Sequence, residues 1–325
     1  WRLFAQRRGG ARAVLMPADN TAAFPAGVGL AVDVRRDAAL IVRELGAAVR
    51  VDEAEVGAEG VLRISGRVVG RPATELRLHL RSKRSRTVGE AFPVTEGRFS
   101  AEVALQHEVY RFGDWPLPLG DHDLSADVTL GDAEVVRVPV QVSRRLNDQL
   151  PIPVRTDRLE GRVVRGPDAL VRVTLLRPVG DSRGTYRQNR LRAAPPPSQL
   201  TRGLLLRSYF GEFATDNGLS IQRELQRRGS DLPVYWAVHD HSVVVPDGSI
   251  PVVVNSARWY ELLNSATYYV DNMYQPEFHQ KPQGQVLVQT FHGYPFKQMG
   301  HAHWRNVQFS QARIDSYDAR ARQWD

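Results

Sequence analysis

The chain is 325 residues long, enough for two or three domains, and its hydrophobic content of 42% and charge of 24% are those of a folded globular protein and not of a disordered one. A formal net charge of +7 favours anionic partners, and the lack of cysteine excludes disulfides and zinc fingers. The basic residues are scattered instead of lining one predicted helix, so nucleic acid is not an expected partner, and no apolar run approaches the roughly 20 residues of a membrane span.

In chain order, residues 1–10 are basic with no signal-type apolar core behind them. The chain opens on Trp1 with no initiator Met and closes on Trp324-Asp325, and reads as a segment of a longer protein. From about residue 29 to 176, short β-type runs alternate polar and apolar residues between Gly, Pro and Asp breaks: Leu30-Ala31-Val32-Asp33-Val34, Leu76-Arg77-Leu78-His79-Leu80 and Val135-Val136-Arg137-Val138-Pro139-Val140 are examples. Each run can bury one face and wet the other, which predicts an N-terminal all-β, sandwich-like region over residues 1–194, with a core module at about 46–143. Two hairpin-like stretches, 28–45 and 159–176, flank the module and are expected to pair into a small second β unit. Arg81-Ser82-Lys83-Arg84-Ser85-Arg86 reads as a solvated basic loop; the alternative is a grip on an anionic polymer or a membrane.

Pro195-Pro196-Pro197-Ser198 is a stiff break, and residues 195–199 read as a linker. Beyond it the pattern changes. Continuous apolar strands are predicted at 203–211, 233–238, 250–254, 267–270 and 285–289, with helices at 219–228 and 257–265, which argues for a parallel sheet covered on both faces over residues 200–325. The loop 210–218 joins the first strand to its helix, with Asp216 or Asn217 placed to cap it and backbone N–H groups facing an anion.

The last strand runs into Gln289-Thr290-Phe291-His292-Gly293-Tyr294-Pro295-Phe296-Lys297. A strand that breaks into His-Gly-x-Pro releases its histidine at the carboxyl edge of the sheet, where open α/β sheets bind ligands. Lys297 stands out because only three of the 43 basic residues are lysines. Asp271-Asn272 ends a neighbouring strand, so three polar strand ends gather on one edge. His239-Asp240-His241 and His301-Ala302-His303 have the look of metal pairs on a strand face but lack a third ligand cluster, so neither metal nor cofactor is expected. The chain has neither a phosphate-binding P-loop nor a Gly-x-Ser-x-Gly nucleophile elbow.

From about residue 204 to 325 these residues resemble the CDP-glycerol glycerophosphotransferases, which build poly(glycerol phosphate) teichoic acids. The resemblance rests on Ser208-Tyr209-Phe210-Gly211, on Asp216 and Asn217, on Ser265-Ala266-Thr267-Tyr268-Tyr269-Val270-Asp271-Asn272 and above all on 289–297, which in the family usually reads Gln-Thr-Trp-His-Gly-Thr-Pro-Leu-Lys. Phe291, Tyr294 and Phe296 depart from that pattern, which bears on the substrate more than on the family. The resemblance implies a Rossmann-like acceptor-side domain, half of a GT-B transferase, with the nucleotide-binding domain following Asp325, so that this fragment alone is expected to be inactive. It implies His292 as general base, with Lys297, Gly293, Gly211, Asp216, Asn217 and Asn272 contacting substrate. The implied donor is CDP-glycerol and the acceptor a lipid-linked anionic polyol phosphate, worked on in the cytoplasm by a peripheral protein at the inner face of the cell membrane. The alternatives are a CDP-ribitol or ordinary sugar transferase and a non-catalytic module that binds cell-wall polymer.

Overall fold

The computed structural model describes residues 47–293, 298 and 300–325 with their side chains, and the backbone alone of four short strands, Phe4–Gln6, Arg12–Val14, Leu30–Val34 and Leu40–Glu44. These four form two isolated antiparallel hairpins, the second pairing Leu30 with Glu44. The chain divides by packing into two units, Trp1–Leu176 and Arg177–Asp325.

In the first unit, seven strands carry the alternation of the sequence: β1 (Ala47–Val56), β2 (Val61–Gly70), β3 (Ala73–Arg81), β4 (Arg86–Thr95), β5 (Arg98–Ala104), β6 (Gly120–Leu130) and β7 (Val135–Val142). They hydrogen-bond in the order β7-β1-β2-β5-β4-β3-β6, and β7 then pairs with β6 as well. The strands therefore close into a barrel-like ring where two open sandwich sheets were expected. Strand β7 makes the closure by pairing antiparallel with β6 (Val128↔Val136) and parallel with β1 (Val140↔Val49). Its inward residues Val138, Val140 and Val142 join Leu62, Leu76, Leu78, Leu124 and Val128 in one continuous core. The expected pairing of the two flanking hairpins is also corrected. Strands β8 (Ile152–Arg155), β9 (Glu160–Arg165) and β10 (Val171–Leu176) extend the ring at β6 through β10, whereas among the described residues the strands Leu30–Val34 and Leu40–Glu44 pair only with each other.

The second unit begins earlier than the Pro-rich run. Helix α1 (Thr185–Arg192) packs on this unit, with Gln188 donating to the carbonyls of Ser182 and Asn255, so residues 177–194 belong here and not to the β region. The sheet that follows is wholly parallel, in the order β13 (Ile250–Val253), β12 (Val234–Val238), β11 (Thr201–Arg207), β14 (Ala266–Asp271), β15 (Val286–Gln289). Helix α2 (Asp216–Arg227) follows β11, and α3 (Ala257–Ser265) follows β13. Apolar clusters lie on both faces of the sheet, one around Trp259, Tyr260 and Tyr269 and the other around Leu206, Trp236 and Val270, which is why the strands read as unbroken apolar runs. Helices α4 (Gly300–Asn306) and α5 (Gln311–Ala321) complete the unit.

Strand order reverses at β11, since the chain builds outward on one side through β12 and β13 and on the other through β14 and β15. Between β11 and β14 the two crossovers leave in opposite directions and open a crevice at the carboxyl ends.

Candidate functional site

The floor of that crevice is a buried ion pair. Arg207 and Asp271 end adjacent strands in register, and their side chains are 5% and 2% exposed. The guanidinium donates to Asp271 Oδ2 from Nε (2.9 Å) and Nη2 (2.6 Å), and Nη2 also donates to the Tyr274 carbonyl. Tyr269 OH donates to the same carboxylate at 2.6 Å, and the Met273 N–H meets its other oxygen. Burial opposes the charge on Arg207, but the adjoining carboxylate outweighs it and holds the group above its ordinary value. Burial drives the Tyr269 hydroxyl well upward, Arg207 opposing it only in part, so it stays a donor.

Above this floor Asn272, 2% exposed, ties three segments together. Its Oδ1 accepts from the Tyr209 N–H at 2.8 Å, its Nδ2 donates to Asp216 Oδ2 at 2.8 Å, and its main-chain oxygen lies 2.9 Å from His292 Nδ1. A carbonyl only accepts, so Nδ1 carries the hydrogen and the neutral ring keeps its lone pair on Nε2. The His292 ring is exposed and packs 5.5 Å from the ring of Tyr209, whose hydroxyl donates to Asp216 at 3.2 Å. Burial and the Asp216 carboxylate both raise the Tyr209 hydroxyl above its ordinary value.

Backbone strain concentrates here. Tyr209, Phe210, Gly211 and Asp216 after β11, and Phe291 before His292, all have positive φ. At Gly211 (φ 97°) a Cβ would meet backbone atoms of 237–239 at 3.1–3.2 Å, so the close approach of the loop to β12 demands glycine. Gly218 permits a similar approach, because a Cβ there would stand 2.8 Å from the Trp236 ring.

The structure brings His292, Asp216, Asn217, Asn272 and Gly211 to one strand edge, with Gly293 directly after the histidine. Asn217 Nδ2 lies 3.3 Å from the Thr290 carbonyl, joining α2 to the histidine loop. Lys297 lies outside the described residues. Neither Asp216 nor Asn217 caps α2: Thr215 is the N-cap residue, without a side-chain cap, and the Asp216 carboxylate turns to Tyr209 and Asn272. The two histidine pairs do not sit on strands as metal pairs would. His239-Asp240-His241 lies in a turn beyond β12, where Asp240 accepts from the Ser242 N–H and hydroxyl. His301 and His303 lie on α4, where residues two apart face different ways, and His301 pairs with Asp318 at 2.9 Å. Among the described residues no group of three or more His, Asp or Glu side chains is arranged to hold a metal.

Sequence reasoning gave no site role to Arg207, Tyr209 or Asp271, although it put Asp271 at a polar strand end and Tyr209 in the motif that carries the resemblance. A signal for two of them existed: opposite charges ending two apolar strands mark partners once those strands are neighbours.

Residues 201–325 match the family model described as CDP-Glycerol:Poly(glycerophosphate) glycerophosphotransferase. This part of the chain is similar to that family. The teichoic acid poly(glycerol phosphate) polymerase of Staphylococcus epidermidis is 27% identical over 97 residues, which are 30% of this chain and 14% of the polymerase. Among solved structures, the wall teichoic acid polymerase TagF aligns with a TM-score of 0.39 and 20% identity over 43% of this chain and 36% of that one. A variant of it soaked with CDPG gives 0.40 and 21%, again over 43% and 36%. The chain thus spans little more than a third, or less, of the length of these relatives. The glycerophosphotransferase match lies wholly within the second unit and takes in every strand of its sheet.

Proposed function

We propose that the second unit is the acceptor side of a CDP-glycerol-dependent glycerophosphotransferase, a Rossmann-like half of a GT-B transferase, with His292 as general base. The observation that carries this reading is the hydrogen bond from His292 Nδ1 to the Asn272 carbonyl, which leaves Nε2 as a proton acceptor at the crevice of a parallel sheet. The family's description supplies the donor and the polymer. In the step, an acceptor hydroxyl oxygen attacks the phosphorus nearest the donor's glycerol, its proton passes to Nε2, the bond from that phosphorus to the bridging oxygen breaks, and CMP leaves.

Around that step Lys297 neutralises phosphate oxygens, and Gly293, like Gly211, lets backbone approach the substrate. Asn217 contacts the acceptor. Asn272 and Asp216, engaged with one another, hold the base more than they touch substrate. The acceptor is a lipid-linked anionic polyol phosphate, met at the inner face of the membrane by a peripheral protein. The resemblance assigns the nucleotide to a second α/β domain, so the test uses a protein that carries this chain and that domain. His292→Ala should lower CMP release from CDP-glycerol by about 10² to 10⁴, the usual worth of a general base, and leave donor affinity unchanged. A folded His292→Ala enzyme with near-normal turnover would make the histidine structural and end this reading.

A further inference from the structure

The first unit carries two surface features that the transfer chemistry does not use. One is a hairpin of Gln106–Val109 with Gly113–Pro116, whose pairing of Val109 with Gly113 leaves Tyr110, Arg111 and Phe112 as its tip. Tyr110 is 79% and Phe112 61% exposed, the two most exposed aromatic side chains of this unit among the described residues. The tip is built to present them. Arg111 takes the left-handed backbone (φ 69°) with its guanidinium over the Tyr110 ring, and Trp115 Nε1 donates to the Phe112 carbonyl at 3.1 Å.

The other is the basic turn between β3 and β4. Arg81 pairs with Arg86 across the strands, and Ser82 Oγ accepts from the N–H groups of Arg84 and Ser85. Ser85 Oγ in turn lies 3.4 Å from Nδ1 of the buried His122. The turn is thereby fixed, and Arg81, Lys83, Arg84 and Arg86 are all exposed. Among the described residues none of these four, nor Arg111, is in an ion pair.

Register brings the two features to the same end of the ring. Phe99 lies opposite Val94, a Cβ on Gly89 would lie 3.2 Å from the Glu102 carbonyl, and Thr87 Oγ1 donates to the Gln106 carbonyl. As the chain moves from 99 to 106 it passes down β4 from 94 to 87, so the hairpin beyond Gln106 runs on past Arg86 beside the turn. Four strand residues carry its tip about 13 Å further. Val88, two residues beyond Arg86 on β4, is 48% exposed.

Exposed aromatics at a rigid tip beside unpaired cations fit the interface of an anionic bilayer, where rings sit at headgroup level and lysine and arginine meet lipid phosphates. We infer that Tyr110 and Phe112, with the basic turn 81–86, form a docking surface for an anionic lipid membrane. An anionic polymer in solution explains the cations but not two aromatic rings held out in water. The inference deepens the proposed peripheral placement and is independent of the chemistry at His292.

The test is co-sedimentation of the 325-residue chain with vesicles of phosphatidylcholine, alone or with about a third phosphatidylglycerol. The chain should sediment with the anionic vesicles only, and release as salt rises to about 0.5 M. Tyr110→Ser with Phe112→Ser should weaken partition about tenfold or more. Lys83→Gln with Arg84→Gln should each remove about a fivefold factor, one near-surface charge apiece. All four positions are exposed, and unchanged circular dichroism and urea midpoints would show the variants folded. His292→Ala should bind vesicles like the unaltered chain, so failure of the catalytic reading stays distinct. Equal binding to neutral vesicles, no binding, undiminished binding by the aromatic variant, or retention of soluble poly(glycerol phosphate) at these residues without vesicle binding would each overturn the inference.

Discussion

His279 is 1% exposed, and its Nε2 lies 3.1 Å from Gln285 Oε1, an oxygen whose amide nitrogen donates to the carbonyls of Leu263 and Ala266. Nε2 therefore carries the hydrogen, and Nδ1 is buried without a hydrogen-bond partner among the described groups. Burial, partly opposed by the bond to Gln285, holds this ring down at about 4, whereas the unfolded chain protonates it near 6.5. Between those values the unfolded state binds more protons, so stability is fully present above about pH 6.5 and falls as pH drops towards 4, by up to roughly 3 kcal/mol. His79 and His122 are also held low by burial, so the measurement is a difference. His279→Gln keeps a donor for Gln285 and cannot titrate. Its loss of urea stability between pH 7 and pH 5 should be clearly smaller than that of the unaltered chain; equal losses would mean that burial of this ring does not set the pH dependence.

At the scale of elements, the loop from β11 to α2 decides whether the site assembles. It holds two bulky residues in left-handed backbone, which persists only because the Tyr209 N–H, the Gly211 N–H and the Gly211 carbonyl are all anchored, to Asn272, Ser208 and His239. Gly211→Ala adds a Cβ against backbone that cannot yield, and should destabilise the unit by about 1–3 kcal/mol in urea unfolding. It should also shift Tyr209 off His292 and reduce turnover in the complete enzyme. A Gly211→Ala chain within about 0.5 kcal/mol of the original would show the loop to be adaptable. Most of these elements were legible in the sequence, because a strand buried on both faces reads as an unbroken apolar run and a half-buried one alternates. The carboxyl-edge placement of His292 followed from the same pattern. The Tyr209 anchor did not, since left-handed backbone at a bulky residue is imposed by tertiary contacts and leaves no local signal.

What the sequence left open belongs to the whole molecule. Closure of the ring joins Val49 to Val140, a pairing that alternation cannot distinguish from a sandwich edge, and a Pro-rich run marks a break in the chain without saying which side the preceding helix packs on. The second unit has its own apolar clusters, and Val179 and Leu191, upstream of the prolines, pack against them. Gln188 Oε1 accepts from the hydroxyl of Tyr260, a residue 2% exposed, and Ser182 Oγ accepts from the Ala257 N–H at the start of α3. A fragment of residues 177–325 should therefore fold alone with a cooperative urea transition. A fragment of residues 200–325 loses the partner of a buried hydroxyl, a helix-start acceptor and apolar cover for both clusters. Each unsatisfied buried group costs about 1–3 kcal/mol, so the shorter fragment should be less stable by at least about 3 kcal/mol, enough to lower its urea midpoint by more than about 1 M. Equal midpoints for the two fragments would put the boundary at the prolines and reduce α1 to a surface attachment.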